Sequence, residues 1–510
     1  MPTNAKFKLL LLFVTLPVFV FAKYPTQSTI SRDTTAGLII TDALQNSMVV
    51  QQNKPFKVWG HAPAGKVVTI KASWLNEPVT VMADSAKNFL GIINVPAAKK
   101  GDYTKQRLTV ISGPNKVVLQ NLLIGDVWFC SGQSNMQFPM RDLVDGAKKI
   151  DSVNNPYIRL LSVNFNWKSV TVDTIAGRWA ECNPKTLKDF SAVGYYFANE
   201  IQARLDIPIG VIYSGIGGSV TQAYVARDVL EADSVLKAKY LEPFYKTDAY
   251  KNNQLNGFSW STTSYPYLIY NAMIYPFFNL SIKGILWYQG ESNREQRDEY
   301  VKLNYTLIES WRKSFAQGSL PFYYVQVAPH AYGKLDSTLN DCAFFREAQE
   351  KIAKRSNTAM VVTMDIGDKD DIHPKNKKPV GLRLAYTALN RTYDMQDVAY
   401  LGPHYHHAIF TRHQAIIYFG EGTMAGGLKT NDGQVPRHFF VADTDQVFHY
   451  ADARIEGNTI ILTCKSVKHP VAVRYAFTNY PTTNLQNGVD LPAVPFRTDD
   501  WPEAVVNAGK

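Results

Sequence analysis

Hydrophobic residues change their rhythm twice along the 510-residue chain. From about Leu38 to Leu123 they fall in short runs, Met48–Gln51, Phe56–Gly60, Val67–Ile70 and Leu108–Ile111, divided by Asn, Pro and Gly turns. Short strands with regular turn punctuation predict a β-sandwich. From Ile124 the runs lengthen and alternate with helical patterns. Ile124–Cys130, Ile209–Tyr213, Ile282–Tyr288, Phe322–Val327 and Ala359–Ile366 are near-continuous apolar strands. Between them, Val193, Tyr196, Phe197, Ile201 and Leu205 follow the N-cap candidate Ser191 at helical spacing, and Val301, Leu307, Ile308 and Trp311 repeat that spacing. Apolar strands alternating with amphipathic helices predict an α/β domain, a mostly parallel sheet covered on both faces. Beyond Tyr400 the helical period fades, and Ala415–Phe419, Thr459–Thr463 and Val471–Tyr475 are strand-like. The expected division is residues 23–121 for the N-terminal β region, 122–398 for the α/β domain and 399–510 for a C-terminal β-rich region, sandwich- or jelly-roll-like.

Residues 1–22 stand apart. Lys6 and Lys8 precede an apolar run from Leu9 to Phe21, which ends at Ala22. A charged start, a short apolar stretch and a small residue for cleavage predict a secretory signal peptide and a secreted or periplasmic protein. The run falls short of the roughly 20 apolar residues a membrane span needs, and no later segment qualifies.

Composition narrows the partners. The chain carries a formal net charge of +10, with its basic residues scattered rather than gathered, so nucleic acid is not an expected partner. Four cysteines, Cys130, Cys182, Cys342 and Cys464, leave three full disulfide pairings open in an exported chain. None forms a CxxC pair. His404, His406, His407 and His413 are the densest histidine group but lack the Cys or carboxylate spacing of a metal site, so none is assigned.

Four polar blocks fall at the carboxyl ends of predicted strands, where open α/β sheets bind ligands. Cys130-Ser131-Gly132-Gln133-Ser134-Asn135-Met136 follows the first strand, and a serine at such a turn can present its hydroxyl above the sheet. Tyr213-Ser214-Gly215-Ile216-Gly217-Gly218-Ser219 supplies a Gly-rich turn whose N–H groups can face an oxyanion. It is neither a Walker loop nor a dinucleotide fingerprint. Trp287-Tyr288-Gln289-Gly290-Glu291-Ser292-Asn293 offers an amide donor in Asn293. Asp370-Asp371-Ile372-His373-Pro374 places a histidine after two carboxylates, with Pro374 suited to a first helical turn. Nucleophile, oxyanion donors and acid-oriented base are the parts of a serine hydrolase.

These blocks resemble the SGNH hydrolase superfamily, whose four motifs contribute Ser, Gly, Asn and His. The wording at residues 125–136, 287–293 and 371–377 is similar to that of sialate O-acetylesterases, as are Phe190–Phe197, Tyr270–Pro276, Val473–Ala476 and Pro495–Asp499. The resemblance implies a three-layer αβα hydrolase domain and a cofactor- and metal-independent serine esterase that removes O-acetyl groups from a sugar or glycan. O-acetylated sialic acid leads as substrate, acetylated xylan is the nearest enzyme alternative, and an inactive glycan-binding module is the alternative from another class. Carried over by residue, Ser134 is the nucleophile and His373 the base. Gly217 or Gly218, with Asn293 and the Ser134 amide, forms the oxyanion hole. Asp-x-x-His spacing selects Asp370 as the orienting acid, whereas the Asn-Asp-Ile-His wording of sialate esterases selects Asp371. Gln133, Gln289, Glu291 and Arg294 are expected to line the sugar site, with Arg141, Arg294 and Arg297 available to meet a carboxylate.

Overall fold

The computed structural model describes residues 37–255, 259, 261–332 and 340–502. The expected signal peptide lies outside the described residues. Seven strands form the central sheet: β1 (Asn115–Gly132), β2 (Asn155–Ser162), β3 (Trp179–Cys182), β4 (Ile209–Tyr213), β5 (Gly284–Tyr288), β6 (Phe322–Val325) and β7 (Thr358–Val361). Their order is β3-β2-β4-β1-β5-β6-β7, with every neighbouring pair parallel except the antiparallel edge pair β3 and β2.

The apolar strands are buried on both faces because helices cover both. Along β1 the side chains alternate between two cores: Val127 and Phe129 enter one, Trp128 and Cys130 the other. The first core takes Leu307, Ile308 and Trp311 of α3 (Arg297–Phe315) and Phe345 and Ile352 of α4 (Asp341–Ile352). The second takes Val193, Phe197 and Ile201 of α2 (Ala192–Leu205) and Val380, Leu384 and Ala388 of α5 (Lys378–Arg391). Local sequence sets the helix ends. The Ser191 hydroxyl accepts from the Gly194 amide at the start of α2. In α3, Asp298 and Glu299 lie in the first turn and Arg312 and Lys313 in the last, matching the helix dipole.

The N-terminal region is a sandwich as expected. One sheet holds Ile39–Ile40, Phe56–His61 and Asn88–Ile93; the other pairs Val67–Ala72 with Val79–Met82 and with Gln106–Ser112. Gln106–Ser112 then pairs antiparallel with the first half of β1. A single 18-residue strand therefore runs from the sandwich into the middle of the central sheet, and the expected boundary at 121/122 falls inside it. The junction is also polar. Gln51 donates to the fully buried Asp126 carboxylate (2.6 Å), which accepts from the Tyr393 hydroxyl on its other oxygen (2.9 Å). The C-terminal region holds two four-stranded antiparallel sheets and a two-stranded one. It docks on α4, where Asn479 accepts from the Cys342 amide (2.9 Å) and Arg497 pairs with Glu347 (2.7 Å).

Three expectations shift. β2 and β3 were not read from the sequence. The strand expected over Ala359–Ile366 ends at Val361, in register with the end of its partner β6 at Val325, and the chain turns at Thr363–Ile366. The helix expected to open at Pro374 starts at Lys378, with Pro379 in its first turn. None of the four cysteines is paired; Cys130, Cys182 and Cys342 are buried. Among the described residues no helix is long and apolar enough to cross a membrane.

One glycine at the end of β1 is dictated by contact. Gly132 has φ +133°, and a Cβ there would lie 2.2 Å from the Tyr288 carbonyl oxygen in β5. Gly132→Ala is expected to lower unfolding stability by about 1–3 kcal/mol, measured by urea denaturation, through forcing β1 and β5 apart beneath the Ser134 turn.

Candidate active site

Four loops meet above the carboxyl ends of β1, β4, β5 and β7. The short helix α1 (Ser134–Gln137) begins two residues after β1. The turn is anchored from below: the Gln133 amide donates to the Tyr288 carbonyl (3.0 Å), and the Ser131 hydroxyl to that of Ser214 (2.5 Å). Ser134 is thereby lifted onto the rim. Its Oγ lies 2.7 Å from Nε2 of His373, a hydrogen bond between residues 239 positions apart. The serine hydroxyl donating to Nε2 leaves Nδ1 as the protonated ring nitrogen.

Nδ1 faces Asp371. The Asp371 carboxylate accepts from the His373 backbone amide (2.8 Å), and the same oxygen lies 3.6 Å from Nδ1. Asp370, favoured by Asp-x-x-His spacing, is exposed and donates its own amide to Asp368 (2.9 Å). This placement has a local cause. Asp368 gathers the amides of both Asp370 and Asp371, and the tight turn that follows folds the Asp371 carboxylate back onto His373. Burial and the nearby Lys377 ammonium hold the imidazole down at about 4, against a smaller upward pull from Asp371.

The Gly-rich loop after β4 approaches the serine directly: a Cβ on Gly217 would lie 3.3 Å from the Ser134 Cβ. Its amide, however, already donates to the Gln137 side-chain oxygen (3.0 Å). The amides of Ser134 and Gly218 donate to no acceptor among the described residues. Tyr224 shapes this loop from beneath. Its hydroxyl donates to the Gly132 carbonyl (2.8 Å) and accepts from the Ile216 amide (3.0 Å).

Asn293 departs from expectation. Both of its amide hydrogens are used, on Gln222 (3.1 Å) and Gln296 (3.0 Å), while its oxygen accepts from the Thr221 amide and from Gln289 (2.7 Å). Its carboxamide thus holds the β4 and β5 loops together rather than standing open to an oxyanion. Gln133, Gln289 and Glu291, expected at the sugar site, are also buried in this framework. Gln289 is fully buried and binds Thr221, Gln133 and Asn293; Gln133 accepts from the Gly290 and Ser292 amides. Glu291 accepts from the Asn135 amide, and burial raises its carboxyl above the usual range. The reason is common to all three. A tight convergence of loops buries many backbone amides, and each unmet polar group would cost about 1–3 kcal/mol, so side-chain amides are drawn inward to meet them. Arg294 remains at the surface, its guanidinium 4.5 Å above the Tyr332 ring. Arg141 is paired with Asp189, and Arg297 lies over Phe344.

Sequence reasoning missed Asn135, Gln137, Tyr224 and Lys377. Asn135 and Lys377 sit inside the quoted blocks, one beside the serine and the other four residues after the histidine, and their polarity at buried positions was the available signal. Among the described residues no group of three His, Cys, Asp or Glu side chains is arranged to hold a metal ion. His404 pairs with Glu350 (2.8 Å), and His406 and His407 lie against each other on an exposed strand.

The family model of the carbohydrate esterases described as sialic acid-specific acetylesterase matches residues 124–390. The chain belongs to this family. It is therefore a carbohydrate esterase, and the matched stretch carries all four loops of the site. It is 27% identical over 425 residues to the sialate O-acetylesterase of Rattus norvegicus, covering 73% of this chain and 77% of that one. The Homo sapiens sialate O-acetylesterase is likewise 27% identical, over 430 residues and 77% of each chain. A crystal structure of a carbohydrate acetylesterase from Xanthomonas citri is 30% identical, with a TM-score of 0.80, and covers 91% of this chain and 100% of that one. The likeness extends well beyond the α/β domain, so the N- and C-terminal β regions belong to the esterase architecture.

Burial and a like charge both disfavour the imidazolium, so the ring of His373 in this esterase stays neutral down to about pH 4. Histidine side-chain NMR is expected to show that midpoint. A midpoint near the ordinary value of about 6.5 would mean that the ring is far more solvated than this geometry allows.

Proposed function

We propose that this esterase removes O-acetyl groups from sugars through an acetyl-Ser134 intermediate, with O-acetylated sialic acid as the leading substrate. The observation that carries the reading is the 2.7 Å contact between Ser134 Oγ and His373 Nε2 on the rim where four loops converge. His373 removes the hydroxyl proton as Oγ attacks the acetyl carbonyl carbon, and Asp371 stabilises the Nδ1–H side of the resulting imidazolium. The tetrahedral oxyanion is received by the Ser134 and Gly218 amides, joined by Gly217 once Gln137 yields its hydrogen bond. Collapse breaks the C–O bond to the sugar, whose oxygen takes the proton from His373. Water then attacks the acetyl carbon as it gives a proton to the same nitrogen; the carbon–Oγ bond breaks, Oγ takes that proton back and acetate leaves. The sialic acid assignment is supported by the relatives, named sialate O-acetylesterases in rat and human. Arg294 is a half-buried cation adjoining the β5 loop, with part of its guanidinium available for a carboxylate on such a sugar.

Acetate release from O-acetylated sialic acid and from acetylated xylan, compared at equal acetyl concentration, tests the substrate; faster turnover of xylan would overturn the sialic acid reading. Ser134→Ala is expected to lower kcat by about 10⁴-fold or more. Asp371→Asn should lose about 10²–10⁴-fold and Asp370→Asn less than about threefold. The reverse order for the two aspartates would return the orienting role to Asp370.

A further inference from the structure

Behind the serine and histidine lies a buried lysine that the reaction above does not use. Lys377 is 1% exposed, at the residue preceding α5. Its ammonium donates to the Asn135 side-chain oxygen (2.5 Å) and lies 4.9 Å from the Phe138 ring centre and 5.9 Å from that of Tyr288. Packing does not account for it, since methionine would fill the same space without the cost of desolvating a charge.

What the lysine holds does account for it. Asn135 adjoins Ser134, and its amide nitrogen donates both to Glu291 and to the Ile372 carbonyl (3.1 Å), the residue preceding His373. One carboxamide is thus gripped by a cation, a carboxylate and the histidine loop. The grip fixes the serine turn relative to His373. The groups facing the imidazole are Asp371 on its own loop, Lys377 at the head of α5 and His330 from the loop after β6. Those facing Lys377 are Glu291, Asp371 and the His373 ring itself.

We propose that Lys377 is a positioning residue for the esterase reaction: through Asn135 it locks the serine turn to the histidine loop, and it sets a cation on the histidine's side of that lock. This rests on the assignment of Ser134 and His373 as nucleophile and base. Burial drives the Lys377 ammonium down to about 7 and holds the Glu291 carboxyl above its ordinary range.

The test is the pH dependence of kcat and kcat/KM on p-nitrophenyl acetate for the full chain, Ser134→Ala, Lys377→Met, Asn135→Ala and the double variant Lys377→Met/Glu291→Gln. The double variant carries no orphaned carboxylate, and it keeps the question open to an answer if Lys377→Met fails to fold. Removing the lysine charge lifts its opposition to the imidazolium. The acid limb of kcat/KM is therefore expected to move up by about one pH unit in whichever lysine variant folds. The kcat is expected to fall about 10-fold to 100-fold with KM little changed, because Lys377 touches no substrate. Asn135→Ala should lose kcat similarly with a smaller displacement of the acid limb, since the cation stays. A folded lysine variant with an unmoved acid limb overturns the proposal, while an inactive Ser134→Ala alongside it leaves the Ser134–His373 assignment standing. An active Ser134→Ala removes that assignment instead.

Discussion

One hydrogen bond, between Ser134 Oγ and His373 Nε2, is the constraint around which this structure is arranged. Its two partners lie at opposite ends of the α/β domain sequence, and neither local propensity nor nearest-neighbour packing can bring them together. The sheet does. β1 occupies the middle, β4 and β5 flank it in parallel, and all the connecting loops of the site emerge at one edge. The Gly132–Tyr288 contact sets how closely β1 and β5 approach beneath the serine turn. The neighbouring β regions brace the arrangement, the N-terminal one through the unbroken β1 and the C-terminal one through α4.

The site is polar yet largely closed to solvent, and that combination governs its electrostatics. Gln133, Gln289, Asn293 and Thr221 form a side-chain network that satisfies loop amides no secondary structure could satisfy. Such a network rigidifies the loops, and in a low dielectric it also magnifies every charge left within it. Hence the displacement of His373, Glu291 and Lys377 from their ordinary ranges, each driven first by burial. A neutral His373 ring leaves Nε2 able to accept from the Ser134 hydroxyl, and Asp371, 3.6 Å from Nδ1, opposes part of the downward effect of burial.

Fold class was legible because apolar runs and helical spacing report burial directly. Ile209–Tyr213 and Thr459–Thr463 are strands over the very residues the pattern indicated, and Ser191 caps its helix. β2 and β3 were hidden because their sequences mix polar with apolar residues, with Arg159 buried in a strand by contacts to Asn121 and to the Ser47 carbonyl that no local pattern announces. At the site, residue types and loop positions told which blocks converge but not which way each side chain turns. The Asp-x-x-His spacing gave no sign of the Asp368 turn, which folds the Asp371 carboxylate, rather than that of Asp370, back onto His373. Asn293, Gln133, Gln289 and Glu291 looked like open donors and acceptors, since the demand of buried amides for partners appears only once the loops are folded together.

The central claim, that Ser134 is a nucleophile activated by His373, is tested most directly by labelling with a fluorophosphonate, which reacts with activated serines, followed by peptide mapping. The account predicts one adduct, on Ser134, formed in step with loss of esterase activity and absent from His373→Ala. Full inactivation with the label on another residue, or undiminished labelling of Ser134 in His373→Ala, would contradict it.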